Sequence, residues 1–205
     1  MDNRLRVKVL SKTPNPQWVI YMAMHQDYSD KFVIDHPSPS EQKCGEIIVK
    51  KLLRQNHYGP LEHVQIVFNC GYFPHSVMQQ ARTHRIASFD VQSMRYTGQQ
   101  FLRVAEGKKD LEDVIYFRPV GEYTDRKGGK YEYDAYQRNE DITNAKNLAL
   151  KYSEKIKQGI SEEHARGMLP FDYRQHFVVS FNLRSLLHFF DMRHKKDAQL
   201  EIQWL

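Results

Sequence analysis

Arg82, His84, Arg85 and Arg95 fall within one short stretch, "QQARTHRIASFDVQSMRYTGQQF", residues 79–101. A second group, Arg166, Arg184 and Arg193 with Asn182 and His188, lies far along the chain. Arginine presents a rigid fork of N–H donors that matches phosphate oxygens and planar imide or carbonyl edges. Each charge-assisted hydrogen bond contributes about 1.5–3 kcal/mol, so three or four would hold a dianion. Arg193 follows the apolar run "LLHFFDM". At the end of a buried helix it either caps the last carbonyls or aims a permanent cation into a cavity. In the second case a guanidinium beside an imide nitrogen, such as a pyrimidine N3, favours the deprotonated form, because an opposite charge lowers a pKa. Spacing alone leaves a solvated basic face and a pocket for a multiply charged anion both open.

The elements that must position these residues read as follows. "LRVKVL" alternates and predicts a strand, as does "LEHVQIVFNCGY", where Val64, Ile66, Phe68, Cys70 and Tyr72 share one face. "SPSEQKCGEIIVKKLLRQNH" predicts a helix opened by Ser38, Pro39 and Glu41 as a capping box, with "HYGP" as its break. Pro74 opens a second helix, "PHSVMQQARTHR". Its spacing puts Gln80 and His84 on one face and makes Arg82 and Arg85 neighbours. The basic cluster then sits at a helix C-terminus, where the dipole also favours cations. "DVIYFRPVGEY" and "KYEYDAY" predict a polar hairpin around "DRKGGK". A long helix through Ile142 and Ile156 ends at Gly159, and Ser161 caps a short one through Arg166. "HFVVSFN" predicts a strand, "LRSLLHFFDMR" a helix, and "DAQLEIQWL" a last short helix. With no regular βαβ rhythm, the expected class is α+β, a largely antiparallel sheet flanked by helices, built as a single domain over 1–205.

Composition narrows the partners. Of 205 residues 40% are hydrophobic, enough for an ordinary core, and the net charge is +5. That charge favours an anionic partner, nucleotide or nucleic acid. No GxGxxG, GxxxxGK[ST] or HExxH occurs, so a bound phosphate must be held by side chains rather than a glycine cradle. His57 and His63 are read as local hydrogen-bonding groups, and no metal is expected. Cys44 and Cys70 lack CxxC spacing. The N-terminus has no apolar signal core and no run approaches membrane-spanning length, so a soluble, unprocessed, cytoplasmic protein is expected, without membrane partners. A nucleic-acid-binding module remains the rival class at this point.

At these residues the chain resembles a known family. "RTHRIASFDVQSMRYT" is similar to the signature of the flavin-dependent thymidylate synthases, usually Arg-His-Arg, a short spacer, then Ser-x-Arg-Tyr. "HYGPLEH" looks like the segment before that motif, and "ARGMLPFDYRQHFVVSFNLRSLLHFFDMRHKKDAQLEIQ" like the family's C-terminal half. The resemblance implies conversion of dUMP to dTMP, with 5,10-methylenetetrahydrofolate as carbon donor, FAD as redox cofactor and NADPH as reductant. It also implies a homotetramer with sites shared between subunits, and no nucleic-acid partner. Substrate contacts are implied at Gln80, Arg82, Thr83, Gln92, Ser93, Arg95, Arg166 and Arg193, with Arg193 the catalytic group that stabilises negative charge at the uracil N3. Flavin contacts are implied at His57, Gly59, Thr83, His84, Arg85, Val91, Asn182, Arg184 and His188. The chain departs from the pattern at four places. Thr83 stands where the first arginine is common, with Arg82 one residue earlier. Asp90 and His188 replace common asparagines, and Val91 replaces Glu or Gln, so a contact there uses the backbone. A flavoprotein that binds without turning over is the rival within this reading.

Overall fold

Residues 2–205 are described by a computed structural model. The two alternating runs form β1 (Arg6–Lys12) and β2 (Gln65–Pro74). Between them come α1 (Pro16–Gln26) and α2 (Glu41–Ile47), which continues as a π turn over Ile48–Leu52 and a 3-10 turn over Leu53–Gln55. Then follow α3 (His75–Ala81), β3 (Ala87–Val91), α4 (Met94–Thr97) and α5 (Gln99–Ala105). The hairpin, β4 (Gly121–Thr124) and β5 (Lys130–Tyr133), precedes the long α6 (Ala135–Lys157), which carries a capping box at Asp134 and Gln137. Gly159, at φ +81°, follows its end as expected. The chain closes through α7 (Glu162–Ala165), β6 (Arg174–Asn182) and α8 (Leu183–Arg193).

The main sheet is antiparallel throughout, in the order β1-β2-β6-β3, so the α+β expectation holds. One face gathers Cys70, Phe177, Val179 and Phe181. Over it lie Val77, Met78 and Ala81 of α3, Leu186 and Phe189 of α8, and Ile202. Full burial of each large apolar side chain contributes about 1.5–3 kcal/mol. α3 and α8, which carry the candidate site, are therefore fixed over the same sheet face. A second core packs α4–α7 around Phe101 and Tyr152, and a third joins α1 and α2 through Ile20, Ile48 and Leu52. No helix among the described residues is long and apolar enough to cross a membrane.

Four local expectations are corrected. α2 starts at Ser40, whose hydroxyl accepts from the Lys43 N–H at 3.3 Å. Glu41 instead caps α1, accepting from the backbone N–H of Gln17 and Trp18 at 2.8 and 2.9 Å. That cap satisfies two of the orphan donors of α1, an element the sequence pattern did not reveal.

The alternation on β2 breaks after Cys70. A bulge puts Tyr72 at φ +66°, uncommon for an aromatic residue, and Phe73 enters the core instead. Buried Arg174 stabilises the kink by donating to the Tyr72 carbonyl at 2.9 Å.

The helix read over "PHSVMQQARTHR" stops at Ala81. The Thr83 hydroxyl donates to the Gln80 carbonyl at 2.7 Å, and β3 then leaves to pair with β6. The C-terminal segment forms only a 3-10 turn at Ile202–Trp204. Its Gln199 and Glu201 side chains turn inward to partners on other elements.

Candidate functional site

Asn182 ends β6 and its side chain accepts from the Ser185 N–H at 2.8 Å, starting α8. Arg184 and His188, four residues apart, then face one cleft of about 870 Å³ together with Asn182. Tyr58, Glu62 and Ile86 form part of its other wall, and Arg184 pairs with Glu62 at 2.5 Å. At the far end of α8 the Arg193 guanidinium bonds outside its own helix. Its Nε donates to His84 Nε2 at 2.8 Å and Nη2 donates to the Gln80 carbonyl at 3.4 Å. Of the two readings of Arg193, the inward-aimed cation matches these bonds.

An acceptor at Nε2 makes the His84 ring neutral with its proton on Nδ1. Burial, then the charges of Arg193 and His188, hold the ring below the usual histidine value. The ring meets Phe189 edge-on at 5.0 Å and His188 at 6.3 Å between centroids.

Because α3 ends at Ala81, Gln80 and His84 do not share a helical face as expected. They meet through Arg193 instead. Arg82, Thr83 and Arg85 lie exposed on the turn, and neither arginine forms an ion pair among the described residues. His57 sits in the turn after α2. The Tyr28 hydroxyl lies 3.3 Å from its Nδ1 and the Asp27 carboxylate 3.6 Å from its Nε2. Gly59 faces open space, where a Cβ would meet nothing within 4 Å.

The other predicted residues gather where β3 gives way to α4. Val91 pairs with Phe177 on β6. The Gln92 side chain is turned onto the sheet, its Oε1 accepting from the His176 N–H at 3.0 Å. Ser93 caps α4 through its carbonyl, which accepts from Tyr96 and Thr97 at 3.1 Å. Arg95 is exposed, pairs with Glu163 of α7 at 3.1 Å and lies over the Tyr96 ring. Arg166 follows α7 directly.

Among the described residues no hydrogen bond or ion pair joins Arg95 or Arg166 to Arg193. A polar chain does run between their neighbourhoods. Gln175 Nε2 donates to the Gln92 carbonyl at 3.0 Å and its Oε1 accepts from His75 Nδ1 at 2.7 Å. Gln79 Nε2 in turn donates to His75 Nε2 at 2.8 Å. Gln175 is 2% exposed, so this chain is fixed by the core.

Sequence reasoning missed His75, Gln175, Gln199 and Glu201. The Gln80 amide donates to Gln199 Oε1. Gln199 Nε2 is held by Glu201 at 2.8 Å and by the Ser76 hydroxyl at 3.2 Å. Gln175 meets His75, and Gln199 meets Ser76 and Gln80, across 100 to 123 residues, and no local pattern signals such pairs.

Both cysteines are buried and free. Burial pushes the Cys70 thiol up to about 12. Burial first, then the Glu41 charge, raises that of Cys44. A thiolate nucleophile needs the opposite setting. Since the folded value of Cys70 lies above the ordinary thiol value of 9.0, its contribution to stability is complete below pH 9 and lost as pH rises toward about 12. At pH 8 iodoacetamide should modify neither thiol until the protein unfolds. Replacing Cys44 by Ser and Cys70 by Ala should leave turnover within several-fold, with lost packing appearing as about 1 kcal/mol in melting. A folded double variant without activity would show that a thiol takes part.

Comparison with known proteins adds the following. A family model described as thymidylate synthase complementing protein matches residues 8–205. The chain is 32% identical over 216 residues to a flavin-dependent thymidylate synthase of Halobacterium salinarum, covering 98% of this chain and 87% of the relative. It is 33% identical over 214 residues to that of Haloarcula marismortui, covering 96% and 85%. Among solved structures, thymidylate synthase X from Helicobacter pylori with FAD and dUMP superposes with a TM-score of 0.71 at 22% identity, over 97% of this chain and 88% of that one. A UMP/dUMP methylase, PolB from Streptomyces cacaoi bound with 5-Br UMP, gives 0.70 at 20% identity, over 97% and 84%. At such identities the structural likeness speaks for the fold.

Proposed function

The chain belongs to the flavin-dependent thymidylate synthase family, and from that premise we propose that it converts dUMP to dTMP with FAD. In this reading 5,10-methylenetetrahydrofolate donates the carbon and NADPH the reducing equivalents, in a cytoplasmic enzyme.

The residues present fit a flavin nucleotide. The cleft beside α8 combines apolar walls at Leu61, Ile86 and Leu187 with the polar groups of Asn182, Arg184 and His188. A planar ring with one polar edge needs that mixture. Arg82 and Arg85, on the turn that leads to Ile86 of this cleft, are exposed and form no ion pair among the described residues, which suits them to phosphate. FAD when bound supplies the hydride, and the protein binds, orients and polarises. Asn182, Arg184, His188, His84, Arg85, Thr83, His57 and the backbone of Gly59 and Val91 would hold it. Gln80, Arg82, Thr83, Gln92, Ser93, Arg95, Arg166 and Arg193 would hold dUMP.

The single observation that carries the reading is the Arg193 guanidinium. It is tied through Nε to a neutral histidine and so presents a permanent cation at the turn between α3 and β3. Beside a uracil it would stabilise charge at N3 as C5 becomes nucleophilic, which is electrostatic stabilisation of developing charge. Among the described residues the group of Arg95 and Arg166 shares no hydrogen bond or ion pair with Arg193. We therefore take each site to be composite, completed by another subunit of a homotetramer.

The test is anaerobic turnover with dUMP, 5,10-methylenetetrahydrofolate, FAD and NADPH, together with light scattering. Formation of dTMP by a yellow, tetrameric protein is expected. A colourless protein whose absorbance ignores added FAD would sink the flavin assignment, and a monomer would sink the shared site.

A further inference from the structure

Arg193 has few restraints of its own. It ends a helix, and its long side chain costs about 2 kcal/mol of rotamer freedom to fix. The contact that fixes it is a ring nitrogen. His84 Nε2 accepts the Nε–H at 2.8 Å, and the Gln80 carbonyl accepts from Nη2 at 3.4 Å. The Nε bond sets the plane of the guanidinium, because Nε is part of that plane. The carbonyl then sets its rotation. The His84 ring is itself held, edge-on against the buried Phe189 at 5.0 Å. Gln80 is held by Gln199.

We propose that His84 is the positioning residue for Arg193: its neutral imidazole accepts the Nε–H and fixes the guanidinium plane, and protonation of the ring releases the arginine. The chemistry follows from the two protonation states. Neutral imidazole with its proton on Nδ1 offers one lone pair, at Nε2, to the arginine. The imidazolium is a donor at both nitrogens and a cation, so it loses the bond and repels Arg193. The charges that act on the ring, Arg193 and His188 of α8, both favour the neutral form, while the Gln80 carbonyl of α3 faces the arginine rather than the ring. Along its own turn the ring is bracketed by Arg82 and Arg85. Burial acts in the same direction and is the largest contribution. The site is thus built to stay neutral near neutrality and to disengage in acid. The inference rests on the proposed reaction for its consequence in turnover, but not for the contact itself.

Two measurements separate the contact from the reaction. In the full-length protein carrying 15N-labelled histidine, His84 should show an unprotonated Nε2 at pH 7. It should titrate below the ordinary histidine range, and Arg193→Gln should move that titration upward. His84 protonated on Nε2 in the parent, or a titration unmoved by Arg193→Gln, overturns the proposal whether or not the protein makes dTMP.

The second measurement is the pH profile of kcat. The parent should lose kcat as pH falls through the His84 titration seen by NMR. His84→Leu should lose at least ten-fold in kcat above the His84 titration, with a smaller change in KM for dUMP, and the gap to the parent should close below it. His84→Gln offers a side-chain oxygen near the Nε2 position and does not titrate. It should recover a large part of that loss and lack the acid limb. An unchanged acid limb in His84→Gln, or equal defects in the Gln and Leu variants, overturns the proposal. Absence of dTMP formation in the parent, with the NMR result as expected, would instead sink the assigned reaction alone.

Discussion

Arg193→Lys should fold, take up FAD like the parent, and lose about a hundred- to a thousand-fold in kcat, the range found when one donor to a developing anion is removed. Lysine keeps the charge, so loss of charge would not be the cause. What is lost is the planar fork: Nε bonded to His84 Nε2 at 2.8 Å, Nη2 bonded to the Gln80 carbonyl at 3.4 Å, and the remaining N–H groups left for the substrate. A lysine ammonium has three donors on one freely rotating nitrogen, so it has no plane for His84 to fix and meets the substrate without defined geometry. An interaction made mainly in the transition state lowers kcat and kcat/KM together. The discriminating measurement is therefore steady-state kinetics at several dUMP concentrations, on protein whose flavin content and melting match the parent. A loss confined to KM would mean that Arg193 binds the nucleotide without activating it. Unchanged kinetics would remove Arg193 from the chemistry.

The largest expected effect on stability falls outside the cleft, at Glu201. This carboxylate is 1% exposed and accepts four hydrogen bonds. Arg118 donates through Nε at 2.6 Å and Nη2 at 2.9 Å, the Tyr116 hydroxyl at 3.1 Å and Gln199 at 2.8 Å. Burial pushes the carboxyl up, but the Arg118 and Gln199 hydrogen bonds and the Arg118 charge outweigh it and hold it below the usual value.

Glu201→Ala strands Arg118 and Tyr116. Breaking a buried pair from one side costs about 3–5 kcal/mol, and the part-exposed Arg118 places this case near the lower end, about 3 kcal/mol. For a chain of this length each kcal/mol lowers Tm by roughly 2–4 °C, so a fall of about 6–12 °C is expected. The double variant Glu201→Leu with Arg118→Met should recover part of that loss, since an ion pair replaced from both sides by apolar groups is often neutral. Because the folded carboxyl value lies below the unfolded one, this stabilisation is complete above the unfolded value near 4.5 and lost as pH falls below it. Glu201 also orients Gln199, which holds Gln80, so the Ala variant should bind dUMP more weakly than its melting alone explains. A Tm within 2 °C of the parent would show that the ion pair contributes little.

Much of this molecule can be read from short-range pattern. The strands "LRVKVL" and "HFVVSFN", the α8 run "LRSLLHFFDMR", the hairpin around "DRKGGK" and the stop at Gly159 all form where period and turn chemistry put them. Each depends on residues within a few positions of one another. The two arginine groups were legible for a related reason: residue type alone sets their charge and donor geometry.

Position and partner were not legible in the same way. α1 is capped by Glu41 from another element, and α3 stops short of its basic residues because β3 must reach β6. Arg174 stabilises a bulge about a hundred residues away in the chain, and Glu201 reaches Arg118 across 83 positions. The inward aim of Arg193 is of this kind too. Its sequence allowed a helix cap as readily as a bond to His84, 109 residues earlier. A side chain's chemistry belongs to its residue, and its local backbone state to its neighbours. Which buried donor meets which acceptor is decided only when the sheet closes, because that closure removes water and makes every unpaired polar group costly.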